Sequence, residues 1–273
     1  MAIRDVVSAD GTNIVYRVSG PAQARPLVLL HGWSANLRCW GGAADDLAAR
    51  FRVIALDLRG HGYSDAPATG YDDPKNWAAD VAAVLAAEGI DSGAVLLGWS
   101  YGGIVLSDYL TVYGTGAVAG VVYTGSMANI GPGVPGAATG SMMQEAIPGV
   151  FDESAGRAVR AFGAFGNANT GPGADKGPDA QRLFGASLAT PPAVRKALFY
   201  RTVDNSGTLR ALDIPVLVLH GTADRVVPIE NGRWIADTVP NARASFWEDA
   251  QHGLFIEDRS RFVAEVRAFI DML

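Results

Sequence analysis

The strongest constraint on the fold is a series of short apolar runs, each ended by a turn and followed by a stretch of helical character. LVLL (27–30), RVIALDL (52–58), AVLLG (94–98), VAGVVYT (118–124) and PVLVLHG (215–221) are continuous and rich in Val, Leu and Ile, and ASFWE (244–248) is a shorter sixth. Such runs fit strands buried on both faces of a parallel sheet, whereas IVYRV (14–18) alternates as a half-buried strand does. Amphipathic stretches lie between them. Trp77, Val81, Val84 and Leu85 share one face of WAADVAAVLAAE (77–88), and Phe262, Val266, Phe269 and Ile270 recur at helical spacing in 258–272. Strands alternating with helices predict βαβ crossovers, and so an α/β fold with a doubly wound, mostly parallel sheet.

The alternation breaks between about Gly125 and Arg210, where no strand-like run occurs. Gly and Pro are dense in GPGVPGAATG (131–140) and GNANTGPGADKG (166–177), with short helical pieces expected at 141–147, 152–163, 179–188 and 193–204. Phe151, Phe162, Phe165, Phe184, Leu198 and Phe199 make this segment too apolar for a disordered linker. The expected organisation is a core of residues 1–124 and 211–273 carrying a mostly helical insertion, 125–210, with mobile loops.

Bulk properties narrow the function by exclusion. A net charge of −6 argues against a nucleic-acid partner, which requires a basic face. The single cysteine, Cys39, has no partner for an internal disulfide and reads as a small buried hydrophobe. MAIRDVVSADG has no long apolar segment, and no apolar run reaches the ~18 residues of a membrane span, so a cytoplasmic location is expected.

A polar residue stands where the third long apolar run ends: Gly98-Trp99-Ser100-Tyr101-Gly102, followed by a helix-capable stretch from Gly103 to Val112. In G-x-S-x-G between strand and helix, the turn is so sharp that the serine takes a strained conformation, and side chains two positions either side would collide with neighbouring elements. Glycine at 98 and 102 removes that collision. The hydroxyl then stands at a helix N-terminus, where free N–H groups favour developing negative charge.

A serine nucleophile needs a base, and the base an orienting carboxylate. Of four histidines, His31 directly succeeds a strand, while His61 and His220 read as turn or core residues. His252, in AQHGLF, lies between the last strand and the last helix and can reach the sheet edge where ligands bind. Asp224, in HGTADRVVP, follows a strand end; Asp249 is too close to His252 in the same short loop, and no Asp or Glu occurs from Thr124 through Gln144. Ser100, Asp224 and His252 are therefore the candidate catalytic residues.

LVLLHGW (27–33), VIALDLRGHGYSD (53–65), GWSYGG (98–103), LVLHGTADRVVP (217–228) and QHGLFIE (251–257) together make the chain resemble the α/β-hydrolases over nearly its whole length. The resemblance implies one antiparallel strand near the start, at 3–7 or 13–18, and a helical cap after the sixth strand, matching 125–210. It implies Ser100 as nucleophile, Asp224 as orienting acid, His252 as base, and backbone N–H groups of Trp33 and Tyr101 as the oxyanion hole. The few histidines are scattered and Cys39 lacks a partner, so no metal site is expected, and no cofactor is expected. Trp99 reads as core, Asp57, Arg59 and His61 as a structural turn near the mouth, and Met127, Met142 or Met143 as walls of an apolar pocket.

Serine as nucleophile points to an acyl-enzyme and to a small, mostly apolar ester or lactone as partner, rather than to the alkyl-enzyme of aspartate-nucleophile relatives. Cofactor-free haloperoxidases, which act as perhydrolases, share this Ser-Asp-His set. C–C bond hydrolases share it too but carry a Trp shortly after the base, where Leu254 and Phe255 stand here. A ligand receptor with slow turnover is the alternative from another class.

Overall fold

The structure, a computed structural model, describes residues 2–170 and 177–273. The chain runs β1 (Ala2–Val7), β2 (Asn13–Ser19), β3 (Pro26–Leu30), α1 (Gly41–Ala48), β4 (Arg52–Leu56), α2 (Pro74–Ala87), β5 (Ala94–Trp99), α3 (Gly102–Tyr113) and β6 (Val118–Thr124). Five helices follow: α4 (Ser141–Val150), α5 (Ala155–Thr170), α6 (Gly177–Ala189), α7 (Pro192–Phe199) and α8 (Ser206–Arg210). The chain closes with β7 (Val216–Gly221), α9 (Ile229–Thr238), β8 (Ala242–Trp247), α10 (Leu254–Glu257) and α11 (Arg259–Ile270).

The eight strands form one sheet in the order β1-β2-β4-β3-β5-β6-β7-β8. β2 pairs antiparallel with both β1 and β4, while β4, β3, β5, β6, β7 and β8 pair in parallel. The reversed strand is therefore the one at 13–19; the segment at 3–7 runs in the same direction as the rest of the sheet. This is the α/β-hydrolase fold. Strand order reverses between β3 and β5, and a ligand crevice opens beyond the carboxyl ends of strands at such a point.

Side-chain alternation explains why both faces are covered. Val28, Leu30, Ile54 and Leu96 pack with Trp77, Val81 and Ile104 on one face, whereas Leu27, Leu29, Val53, Val95 and Leu97 pack with Leu47, Phe262 and Val266 on the other. Every residue of β5 is buried, which fits an uninterrupted apolar run in a central strand. A third cluster, including Met143, Val150, Phe162 and Phe165, gathers the helices between β6 and β7 against Val226 and Val227.

Some local expectations differ from the structure. α4 continues past Pro148 to Val150, although proline removes one helical donor. The helix expected at 152–163 extends to Thr170, the piece expected at 193–204 is helical only to Phe199 as α7, and α8 lies beyond it. α1 and α9 contain glycines, which are poor helix formers; burial of Ala43, Ala44, Leu47 and Ile235 holds them in place of propensity. Part of the Gly-rich loop at 166–177 lies outside the described residues.

Candidate active site

Each candidate residue follows the carboxyl end of a different strand: Trp33 after β3, Ser100 after β5, Asp224 after β7 and His252 after β8. Parallel pairing brings these ends to one edge of the sheet.

Ser100 has φ +55°, a left-handed conformation that costs a serine roughly 1–3 kcal/mol unless its surroundings impose it. They do. Ser100 N–H donates to Thr124 O at 3.2 Å, and Ser126 Oγ donates to Ser100 O at 2.7 Å, so the end of β6 pins the turn on both sides. A Cβ on Gly98 would come within 2.6 Å of Gly102 C, and one on Gly102 within 2.1 Å of Leu30 O. The glycines thus permit the strand, the turn and the loop after β3 to pass in contact. Gly32 serves the same close approach, since its Cβ would meet Ser100 Cβ at 2.9 Å.

The loop after β3 is held by two buried histidines. His31 Nδ1 donates to Gly32 O at 2.8 Å and its Nε2 accepts from Leu58 N–H at 3.0 Å. His61 Nδ1 donates to Arg59 O at 2.9 Å, and its Nε2 accepts from Ser34 N–H at 3.2 Å. Both imidazoles are used as neutral rings, and burial depresses both, His61 to about 4. Asp57 fastens the same region by accepting from Leu37 N–H at 2.7 Å and Tyr63 N–H at 2.9 Å. Arg59 is buried against Asp80, with both bonds at 2.7 Å. Neither Asp57, Arg59 nor His61 lines the cavity.

Among the described residues, the backbone N–H groups of Trp33 and Tyr101 donate to no acceptor. Both residues line the cavity beside Ser100. Two unpaired amides next to a strained serine are donors of the kind that an oxygen gaining negative charge requires.

Asp224 and His252 are in direct contact, with Nδ1 donating to Oδ2 at 2.7 Å. Asp224 Oδ1 accepts from Val226 and Val227 N–H at 2.8 and 2.9 Å. His220 adds an interaction absent from the sequence reading: its Nε2, which donates to Val227 O at 2.8 Å, stands 3.4 Å from Asp224 Oδ2. Burial alone would raise the Asp224 pKa; the imidazoles of His252 and His220 outweigh it and bring the carboxyl to about 2. The only sequence signal for His220 is its spacing four residues before the acid.

Trp99 is buried as expected, yet it also lines the cavity, and its Nε1 donates to His252 O at 3.1 Å. His252 Nδ1 is committed to Asp224, so Nε2 is the nitrogen left for proton transfer. Ser100 Oγ and His252 Nε2 form no hydrogen bond to each other, although both residues line the same cavity.

The cavity has a volume of about 680 Å³. Trp33, Met127, Ile130, Met143, Phe165 and Phe199 supply much of its apolar wall; Met142 is not part of that lining and packs against the helical cluster. The basic side chains among the described lining residues are His252 and Arg201, and Arg201 is paired with Asp108 at 2.6 Å. Among the described residues, no group of three or more His, Cys, Asp and Glu is gathered as a metal site. No described helix is long and apolar enough to cross a membrane.

This fold, and a matching family description over residues 27–266, establish that the chain belongs to the alpha/beta hydrolase family. Within it, the chain falls in the branch of esterases and non-heme haloperoxidases. It is similar to an esterase of Rhodococcus sp. ECU1013, whose crystal structure shares 57% identity at a TM-score of 0.98, covering 100% of both chains. It is 33% identical to a non-heme chloroperoxidase of Streptomyces lividans, over 97% of this chain and 98% of the relative. It is 29% identical to a pimeloyl-[acyl-carrier protein] methyl ester esterase of Neisseria meningitidis serogroup C, over 93% and 97% of the two chains.

Proposed function

We propose that the protein is a serine hydrolase that cleaves small, mostly apolar carboxylic esters or lactones through an acyl-enzyme, with residues 125–210 acting as a cap over the site. The observation that carries this reading is the pair of unpaired amides, Trp33 and Tyr101, flanking a serine at φ +55° on the cavity that also holds the His252–Asp224 couple.

In the first step His252 Nε2 takes the proton of Ser100 as Oγ bonds to the substrate carbonyl carbon. The carbonyl oxygen becomes an oxyanion received by the Trp33 and Tyr101 amides, each such donor being worth roughly 3–4 kcal/mol. Asp224 fixes the imidazole with its proton on Nδ1 and stabilises the imidazolium. Collapse of the tetrahedral species breaks the bond to the alcohol, which leaves with the proton held on Nε2. Water, deprotonated by the same nitrogen, then attacks the acyl-serine and releases the acid. The apolar wall favours uncharged substrates.

Ser100→Ala tests this directly. Turnover of p-nitrophenyl butyrate is expected to vanish while Tm stays at the wild-type value; persistent turnover in a folded variant sinks the assignment.

The haloperoxidase relatives favour a second use of the same intermediate. Hydrogen peroxide attacking the acyl-serine in place of water yields a peracid and free serine, and the peracid oxidises halide away from the site. Halogenation that requires both peroxide and a carboxylate, and that is lost in Ser100→Ala, identifies this route. Halogenation surviving in that variant excludes it.

A further inference from the structure

Trp33 and Tyr101 lie on separate loops, yet the side chain of each is tied to one short segment of the insertion. Trp33 Nε1 donates to the backbone carbonyl of Arg195 at 2.9 Å, and Tyr101 Oη accepts from Arg201 Nη1 at 3.1 Å. Arg195 belongs to α7, and Arg201 stands just past its end.

Both arginines are buried, and each is itself immobilised. Arg201 Nη2 donates to Asp108 Oδ2 on α3 at 2.6 Å, and its guanidinium lies 5.2 Å from the Trp77 ring. Asp108 also stands 3.4 Å from Asn205 Nδ2, so both its oxygens point at the insertion. Arg195 has no carboxylate partner among the described residues. Its Nε donates to Thr190 O at 2.8 Å and its Nη1 to Val150 O at 2.5 Å. These carbonyls stand at the ends of α6 and α4, where the partial negative charge of a helix terminus stands in for a carboxylate. The guanidinium also sits 4.8 Å from the Phe162 ring.

We propose that the segment from Arg195 to Arg201 is a strut that sets the oxyanion hole, with Arg195 acting through Trp33 and Arg201 acting through Tyr101 as positioning residues. The proposal rests on the serine-hydrolase reading above. The Tyr101 amide rides on the peptide that follows left-handed Ser100 (φ +55°), and Trp33 directly precedes left-handed Ser34 (φ +54°), so each loop gains from support outside it. Stabilisation of an oxyanion falls steeply when a donor swings off its line. The ties end on the side chains of the very two residues that present the amides. Placement of the insertion and geometry of the hole are therefore one variable: an insertion seated on α3 and the β3 loop holds both donors, and a displaced one releases both.

The test uses the full chain. Tyr101→Phe and Trp33→Phe cut one tie each and leave both arginines in place. A double variant, Arg201→Met with Asp108→Leu, removes both halves of the buried pair and leaves no orphan charge. Arg52→Gln, which loses an ion pair to Glu88 far from the cavity, is the stability control. The readouts are Tm, kcat and KM with p-nitrophenyl butyrate, and Ki for an alkyl trifluoromethyl ketone, whose adduct with serine puts an oxyanion in the hole.

Each tie variant is expected to lose about tenfold or more in kcat with KM within about twofold, and the ketone Ki is expected to rise by the factor lost in kcat/KM. Arg52→Gln is expected to lower Tm and leave kcat alone. Folded tie variants with kcat within about twofold of wild type, or with a loss carried by KM alone, overturn the strut. So does an equal loss of kcat in Arg52→Gln. If the double variant does not fold, the two Phe variants decide. A wild-type chain with no Ser100-dependent turnover removes the hydrolase reading and the strut with it; an active wild type with unaffected tie variants removes the strut alone.

Discussion

Trp99 donates its indole N–H to the backbone carbonyl of His252 at 3.1 Å, so the residue before the serine holds the loop that carries the imidazole. The two rings lie 5.2 Å apart, and Trp99 also packs edge-on against Phe255 at 5.0 Å. Trp99→Phe keeps most of that packing and leaves the carbonyl without its donor. Urea unfolding should show a loss of about 1–3 kcal/mol, and kcat should fall roughly tenfold as the imidazole loses its fixed position. Unchanged stability and kcat would make the bond incidental.

Asp224 accepts from the His252 imidazole and from two backbone amides, and the imidazoles of His252 and His220 outweigh the cost of burying its charge. With a carboxyl pKa of about 2, lowered from 3.8, its stabilising contribution is complete above the unfolded value and is lost as pH falls through about 2. Asp224→Asn removes the charge and disturbs the Nδ1–H tautomer. A fall in kcat of about 10³–10⁴ is expected near neutrality, checked by steady-state kinetics with circular dichroism as the control for folding.

The left-handed turn at Ser100 depends on the absence of a methyl group at 102. In Gly102→Ala the added carbon would stand 2.1 Å from Leu30 O, a backbone atom of a central strand that cannot retreat. Destabilisation of more than about 3 kcal/mol is expected, at the severe end for a point change. Soluble yield and Tm report it. An alanine variant with wild-type Tm would show that the loop after β3 yields where the packing says it cannot.

His61 carries a pH dependence of stability. Its folded pKa is lowered to about 4, by burial above all, against 6.5 for the free group. Below pH 6.5 the unfolded chain takes up a proton that the folded chain refuses, so stability present above 6.5 declines as pH falls toward 4. The full difference is about 3 kcal/mol. In His61→Gln the stability gap to wild type should be widest above pH 6.5 and narrow by about that amount by pH 4, measured by urea unfolding. A gap that is constant with pH removes His61 as its source.

What the sequence revealed and what it hid follow from the range of the interactions. Ser100 was legible because its constraints are local: two glycines, a strand before and a helix after. Asp224 and His252 were legible because both follow strand ends that parallel pairing gathers at one edge. Neither Arg195 nor Arg201 stands out in PPAVRKALFYRT, because their partners at Trp33 and Tyr101 lie 162 and 100 residues away. The choice between 3–7 and 13–18 as the reversed strand required the pairing of β2 with β4, which apolar pattern alone does not encode. α1 was hidden by Gly41 and Gly42, which are poor helix formers and are overruled by burial against β4 and α11.

The chamber above Ser100 has one further consequence. On the proposed chemistry a neutral ester or lactone comes in, and the acid that goes out is an anion at neutral pH. Greasy walls solvate that anion poorly, and the one guanidinium among them is already engaged by Asp108. On that chemistry the surface that welcomes the reactant turns away its acid, and accumulated carboxylate is expected to inhibit only feebly.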